Sequence, residues 1–396
     1  MPRIAVLCAI AGMGGAEFSL LELVKHLRDS YEFHLIIPGD GPFQRSAEAA
    51  GAKVWILPWP EAIATTGETA RTPGATQMVR SAACLRSFTR QVSNLLDEIG
   101  PAALVTNAAK AHVLGALVRK PKHVPLIWYM RDGLEERILS RKLLALLSRR
   151  CDLAVCISQY VFTQFREYVS KSVPAEVIYN IVDLNRFHPG LVPPSDLCKG
   201  ADEIWFGIVG AITPLKGHDV FLQAAEKVLE AVPNAVFVIV GTNSYFTEAG
   251  DDYEAQLCRM MTPCLADRVK FLGFRDDVPN ILAQLDVLVQ PNRGPEGLGR
   301  SVLEAMACGV PVIAVDKWGP AELVQDGYTG FLFSPLDAGK LTAQMLVLAR
   351  DEALRKSMGK NGHDWIHQNL ISKKLAGQFD RILAGLITSQ LQEVPA

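Results

Sequence analysis

Val287-Leu-Val-Gln-Pro-Asn-Arg-Gly-Pro-Glu296-Gly-Leu-Gly-Arg300-Ser-Val-Leu-Glu304-Ala-Met-Ala-Cys-Gly-Val-Pro-Val312 runs from an apolar stretch through a glycine-rich turn into a helical pattern, then out to a second apolar stretch. Val287–Gln290 is apolar almost throughout, which suits a parallel strand covered by helices on both faces. Beyond Ser301, the positions Val302, Ala305 and Met306 follow the spacing of one helix face. Strand, turn, helix and strand in this order make one βαβ unit of a doubly wound sheet.

The same alternation extends in both directions. Toward the N-terminus the strand candidates are Ile4–Ala9, Phe33–Ile37, Val54–Leu57, Ala103–Thr106, Leu126–Tyr129, Leu153–Ile157 and Glu176–Tyr179. Ile204–Val209, Val236–Val240, Val269–Leu272, Val287–Gln290 and Val312–Val315 follow. Leu20, Leu23, Val24 and Leu27 mark one intervening helix, and Phe221, Ala224, Ala225 and Val228 another. The pattern predicts an α/β protein of two doubly wound, Rossmann-like domains, residues 1–187 and 204–365. A linker with Pro193-Pro194 joins them over residues 188–203, and a helical tail, 366–396, is expected to pack back across both. The polar stretch Gly67–Gly74 reads as a mobile loop.

The bulk properties agree with two globular domains. A chain of 396 residues exceeds one ordinary hydrophobic core. It is 49% apolar and 21% charged with a formal net charge of −2, so no basic excess points to nucleic acid. Its eight cysteines form no CxxC pair, and several sit in apolar runs, which argues for a reducing compartment. No run approaches the about 20 apolar residues of a membrane span. The expected location is cytoplasmic, with peripheral contact on the inner membrane face left open. The stripe Ile138, Leu139, Leu143, Leu144 and Leu147, in a basic stretch from Arg137 to Arg150, suits either packing on its own domain or a membrane surface.

Three segments carry candidate chemistry. In the first, a helix starting near Ser301 would turn the amides of Gly299, Arg300 and Ser301 toward the C-terminal edge of the sheet, a ready phosphate site. Glu296 and Glu304 flank it. Ser301-x-x-Glu304 also has the form of a capping box, so Glu304 has a structural reading beside a functional one. In the second, Gly210-Ala-Ile-Thr-Pro-Leu-Lys216-Gly217-His218 follows a strand, and Lys216 can serve as a point charge on a diphosphate. In the third, Gly12-Met-Gly14-Gly15-Ala16-Glu17 has two glycines of a dinucleotide fingerprint, but Glu17 stands where the third belongs. Asp-x-Asp, GxxxxGK[ST] and Gly-x-Ser-x-Gly are all absent, so a carboxylate metal clamp, P-loop chemistry and a serine elbow lack support.

Together these segments resemble the retaining GT-B glycosyltransferases of family four, over nearly the whole chain. The most specific element is Glu296-x7-Glu304 followed by Ala-Met-Ala-x-Gly-x-Pro-Val312. Asn180-x-Val-Asp183, Lys216-Gly217, and Phe271-Leu-Gly273 with Asp276-Asp277-Val278 support it. The resemblance implies two domains facing across a cleft and transfer of a sugar from a nucleoside diphosphate sugar, with retention and without a metal or other cofactor. It implies that Glu296 lies beside the donor sugar and Glu304 holds the ribose hydroxyls. Lys216, with amides around Gly299–Ser301 and with Gly14 and Gly15, would meet the diphosphate, Leu298 would belong to the donor site, and the loop around Phe274 would approach the base. The acceptor expected is a glycan, a lipid-linked glycan or a small molecule. Two departures stand out. The family's arginine after Gly210 is here Ala211, for which Arg293 or Arg300 is a candidate replacement. The histidine expected after the fifth strand is replaced by Met130-Arg131-Asp132, which makes Arg131 and Asp132 the acceptor-side candidates. The competing readings are a lapsed GT-B protein that only binds glycan or a partner, and a GT-B sugar-nucleotide epimerase or hydrolase.

Overall fold

A computed structural model of the chain describes residues 1–60, 75–135, 137–243 and 253–392. The stretch Gly67–Gly74, expected to form a mobile loop, lies outside the described residues. The chain divides into two compact units, Met1–Ile181 with Lys373–Ala396, and Val182–Ser372.

The first unit is built on a seven-stranded sheet of order β3-β2-β1-β4-β5-β6-β7. Its strands are β1 Arg3–Leu7, β2 Glu32–Ile37, β3 Lys53–Ile56, β4 Ala103–Thr106, β5 Leu126–Met130, β6 Leu153–Cys156 and β7 Ala175–Val177. The second unit holds a six-stranded sheet of order β10-β9-β8-β11-β12-β13. Its strands are β8 Ile204–Val209, β9 Ala235–Val240, β10 Val269–Phe271, β11 Val287–Gln290, β12 Val312–Val315 and β13 Gly330–Phe333. Neighbouring strands pair in parallel, as in Ile4 with Phe33 and with Ala103, or Leu288 with Val312. Central strands such as β4, β9, β11 and β12 are buried along their length, which is why their sequences are continuous rather than alternating.

Both sheets run outward from their first strand in one direction and then reverse. The reversal falls between β1 and β4 in the first unit and between β8 and β11 in the second. Open parallel sheets bind ligands beyond the carboxyl ends of the strands at such a point, because the flanking loops diverge to opposite faces and leave a crevice.

Every strand expected from the sequence is present, and one more was missed. Gly330–Phe333 forms β13, at the sheet edge beside β12. Its first residue must be small, since a Cβ on Gly330 would stand 2.0 Å from the Val312 carbonyl oxygen. The expected tail begins inside the helix Glu352–Asn369 and continues as the helix Ser372–Gln392. The second is anchored in the first unit, where Tyr31 Oη donates to Asp380 Oδ1 at 2.8 Å and Phe379 packs on Tyr129.

Candidate active site

In the second unit, the loops after β8 and β11 meet at the reversal of strand order. Gly217, at φ +74°, lets them approach, because a Cβ there would lie 1.9 Å from the Pro291 carbonyl oxygen. The Arg293 amide donates to the Leu215 carbonyl at 2.9 Å and ties the loops together. Lys216 ends a short 3₁₀ turn, Pro214–Lys216, that hands the chain to the helix His218–Ala231. This geometry joins the Lys216 ammonium to the Glu296 carboxylate in an ion pair between residues 80 apart in sequence.

Glu296 is held from several sides. Its carboxylate pairs with Lys216 and takes a long contact of 3.5 Å from Asn292 Nδ2, and the nearby Gly299 amide favours its charge. Its own carbonyl accepts the Gly319 amide at 3.0 Å. Burial alone would raise its pKa, but Lys216, then Asn292 and Gly299, outweigh that and hold it below the ordinary carboxylate value. Glu296 is therefore anionic at neutral pH. Gly319 must be glycine, because a Cβ would come within 2.3 Å of the Gly297 carbonyl oxygen. Beside it Trp318 holds φ +63°, a left-handed conformation costly for a bulky residue and one met at ligand sites.

The helix after this loop begins at Arg300, beside the expected start near Ser301, and spans Arg300–Ala307 with Gly299 at its N-cap, φ +92°. The capping box is not formed, since no side chain caps this helix. Ser301 Oγ instead donates to Gln290 Oε1 at 2.6 Å, and Glu304 Oε1 accepts Arg300 Nε at 2.6 Å. The i,i+4 ion pair engages the Glu304 carboxylate with the Arg300 side chain instead of with a backbone amide of the helix start. Glu304 is buried, and burial raises its pKa against the opposing charge of Arg300. Neither proposed replacement for the cation missing at Ala211 is uncommitted: Arg300 holds Glu304, and Arg293 pairs with Asp219. Leu298 is buried and Phe274 is exposed.

The first unit gathers a second polar cluster at its own reversal. Gly14, in extended conformation, is the N-cap of the helix Gly15–Leu27, whose first turn carries the buried Glu17. Burial, opposed by Glu17's own amide and by Arg131, pushes the Glu17 carboxyl up to about 6. Arg131 is buried too: Nε donates to Asn107 Oδ1 at 2.8 Å, Nη1 donates to Asn180 Oδ1 at 2.9 Å, and the guanidinium lies 3.8 Å from the centre of the Tyr129 ring. Asp132, half-exposed, accepts Arg137 Nη1 at 3.3 Å. Among the described residues, no three His, Cys, Asp or Glu side chains are grouped to hold a metal ion.

Sequence reasoning nominated Glu296, Lys216, Glu304 and Arg131 separately and did not see the partners that fix them. It passed over Asn292, which is buried with its Oδ1 unpartnered, and Trp318. It also treated Glu17 only as a missing glycine. Asn292, two residues past β11 at the reversal, was the signal available. Of the two readings of the stripe on the helix Ile138–Leu147, packing on its own domain holds for Leu144, which is buried, whereas Ile138, Leu139 and Leu143 are exposed.

The family described as "Glycosyltransferase Family 4" matches residues 13–186, and the one described as "Glycosyl transferases group 1" matches residues 197–365. A GDP-mannose-dependent monoacylated alpha-(1-6)-phosphatidylinositol monomannoside mannosyltransferase of Corynebacterium glutamicum is 30% identical over 289 residues, 69% of this chain and 71% of the relative. A UDP-Gal:alpha-D-GlcNAc-diphosphoundecaprenol alpha-1,3-galactosyltransferase of Escherichia coli is 27% identical over 271 residues, 65% of this chain and 68% of the relative. Among solved structures, Anabaena HepE in complex with UDP-glucose is similar with a TM-score of 0.80 at 26% identity, covering 97% of this chain and 100% of that one.

Proposed function

The chain belongs to glycosyltransferase family four, with the GT-B fold, and we propose that it is a retaining, metal-independent transferase moving a hexose from a nucleoside diphosphate sugar to a glycan or lipid-linked acceptor. The observation that carries the reading is the Lys216–Glu296 pair at the β8–β11 reversal, where a cation and an anion stand beside the start of the helix Arg300–Ala307.

As the glycosidic bond breaks, charge develops on the departing diphosphate. Lys216 and the first-turn amides of that helix supply the compensating positive charge, the part a metal plays elsewhere. Glu296, anionic at neutral pH, orients the sugar hydroxyls and supports oxocarbenium character at the anomeric carbon. Glu304 takes the ribose hydroxyls, Phe274 takes the base, and Leu298 packs beneath the sugar. Gly14 and Gly15 leave backbone amides open to close approach, and Arg131 and Asp132 serve the acceptor. Retention is carried over from the family. The acceptors in the names of the two bacterial relatives, a phosphatidylinositol mannoside and a diphosphoundecaprenol-linked sugar, support a lipid-linked acceptor and peripheral membrane contact here.

Incubation with nucleoside diphosphate sugars in EDTA, with and without candidate acceptors, tests this. The reading expects acceptor-dependent release of nucleoside diphosphate and a product whose anomeric coupling by NMR matches that of the donor. An inverted product, or turnover only on adding a divalent metal, would overturn it.

A further inference from the structure

Large apolar side chains fill much of one open face of the helix Ile138–Leu147. Leu139 is 81% exposed, Leu146 74%, Ile138 56% and Leu143 38%. At about 100° per residue, positions 138, 142, 146, 139 and 143 fall within one arc of about 140°. Lys142 therefore stands in the middle of the leucines. Arg149 and Arg150 follow in the 3₁₀ turn Ser148–Arg150. No acidic residue occurs between Arg137 and Cys151. Three of the cations here are engaged: Arg137 with Asp132, Arg141 on the Tyr168 ring, and Arg150 with the Ala116 carbonyl. Lys142 and Arg149 are exposed, with no ion-pair partner among the described residues.

We propose that the helix Ile138–Leu147 and the turn after it dock the protein on an anionic phospholipid surface. The chemistry selects this occupant. Exposed leucines interleaved with uncommitted cations suit the boundary between headgroups and acyl chains, where leucines enter the apolar layer, Lys142 reaches back to the phosphates and Arg149 stays among them. A second copy would bring Lys142 and Arg149 against like charges across a two-fold interface. A protein interface of this kind is also depleted of lysine at its centre. The helix is too short and too basic to cross the bilayer, and among the described residues no helix is long and apolar enough to do so. The proposal deepens the membrane contact offered under the proposed function by giving it a surface and a lipid class, and it does not depend on the donor chemistry.

Vesicle co-sedimentation of the full chain tests it, comparing phosphatidylcholine alone with phosphatidylcholine doped with phosphatidylglycerol. The wild type should partition onto the anionic vesicles and lose binding as salt rises. Leu139→Asp/Leu146→Asp should reduce partition at least tenfold, and Lys142→Gln/Arg149→Gln by about 30-fold on anionic vesicles. All substituted side chains are exposed, so unfolding midpoints should not change. Undiminished sedimentation of the leucine variant, absence of wild-type binding, or a dimer that the leucine variant dissolves would each overturn the proposal. Thermal shifts with nucleoside diphosphate sugars, measured on the same samples, keep the two readings apart. Vesicle binding without any donor shift sinks the transferase reading alone, and the reverse sinks only this one.

Discussion

Replacing Lys216 with Met probes two roles of one ammonium. In the unliganded protein it neutralises Glu296, and the two side chains keep 30% and 21% of their exposure. A hydrogen bond to a charged group contributes about 1.5–3 kcal/mol, and partial solvent access puts this pair near the lower end, about 1.5 kcal/mol. The pH dependence has a definite sign. In the wild type, Glu296 has a folded pKa below its unfolded one, so its contribution is present above the unfolded value and fades as pH falls through the folded value. Without Lys216 burial dominates, the pKa rises, and the penalty appears as pH climbs past the ordinary glutamate value of 4.5. The variant should therefore lose about 1.5 kcal/mol at pH 7 and little at pH 4 in denaturant unfolding. Glu296→Gln should restore much of that loss at pH 7, giving a coupling of about 1–2 kcal/mol in a double-mutant cycle. Donor turnover should fall by about 10²–10³, the effect of one preorganised contact on a developing anion. Turnover within a few-fold of wild type would refute the diphosphate role even if the stability cycle behaved as expected. A cycle without coupling would refute the ion pair.

Glu17 gives a second pH signature. Its folded carboxyl binds its proton more tightly than the unfolded chain does, so the stabilisation present below pH 4.5 is lost as pH rises through about 6. Glu17→Gln should thus be more stable than wild type by about 2 kcal/mol at pH 8 and equal to it at pH 4, and denaturant curves showing the same offset at both would contradict the burial argument. Gly217→Ala meets both a left-handed φ and a 1.9 Å collision with Pro291, whereas Gly190→Ala, at φ +86°, meets nothing within 4 Å. The first should cost well over 2 kcal/mol and suppress turnover through the misplaced Lys216 loop, and the second about 1 kcal/mol with turnover intact. Equal melting points for the two would show that the loop contact matters less than the geometry implies.

Much of the fold was legible because parallel strands buried on both faces leave continuous apolar runs. β4, β8, β11 and β12 match their sequence reading to the residue. β13 was not legible, since Gly330-Phe-Leu-Phe is a short run whose strand character comes from pairing with Val312–Val315, a non-local contact. The site was legible as residue types at loop positions and illegible as partnerships. Ser301-x-x-Glu304 has the spelling of a capping box, but a competing arginine four residues before Glu304 decides its rotamer. Lys216 and Glu296 lie in the loops that follow β8 and β11, strands that become neighbours only where the sheet reverses, so local pattern cannot pair them. The exposed leucines of Ile138–Leu147 follow the periodicity of a buried face, and periodicity does not say what lies opposite.

The most direct test of the central claim is a thermal-shift titration of wild type and Lys216→Met with a panel of nucleoside diphosphate sugars in EDTA. A ligand of the folded state raises its midpoint by mass action. At least one donor should stabilise the wild type in a saturable way, with an apparent affinity at least tenfold weaker when Lys216 is replaced. A panel that shifts neither protein, or one that shifts both equally, would contradict it.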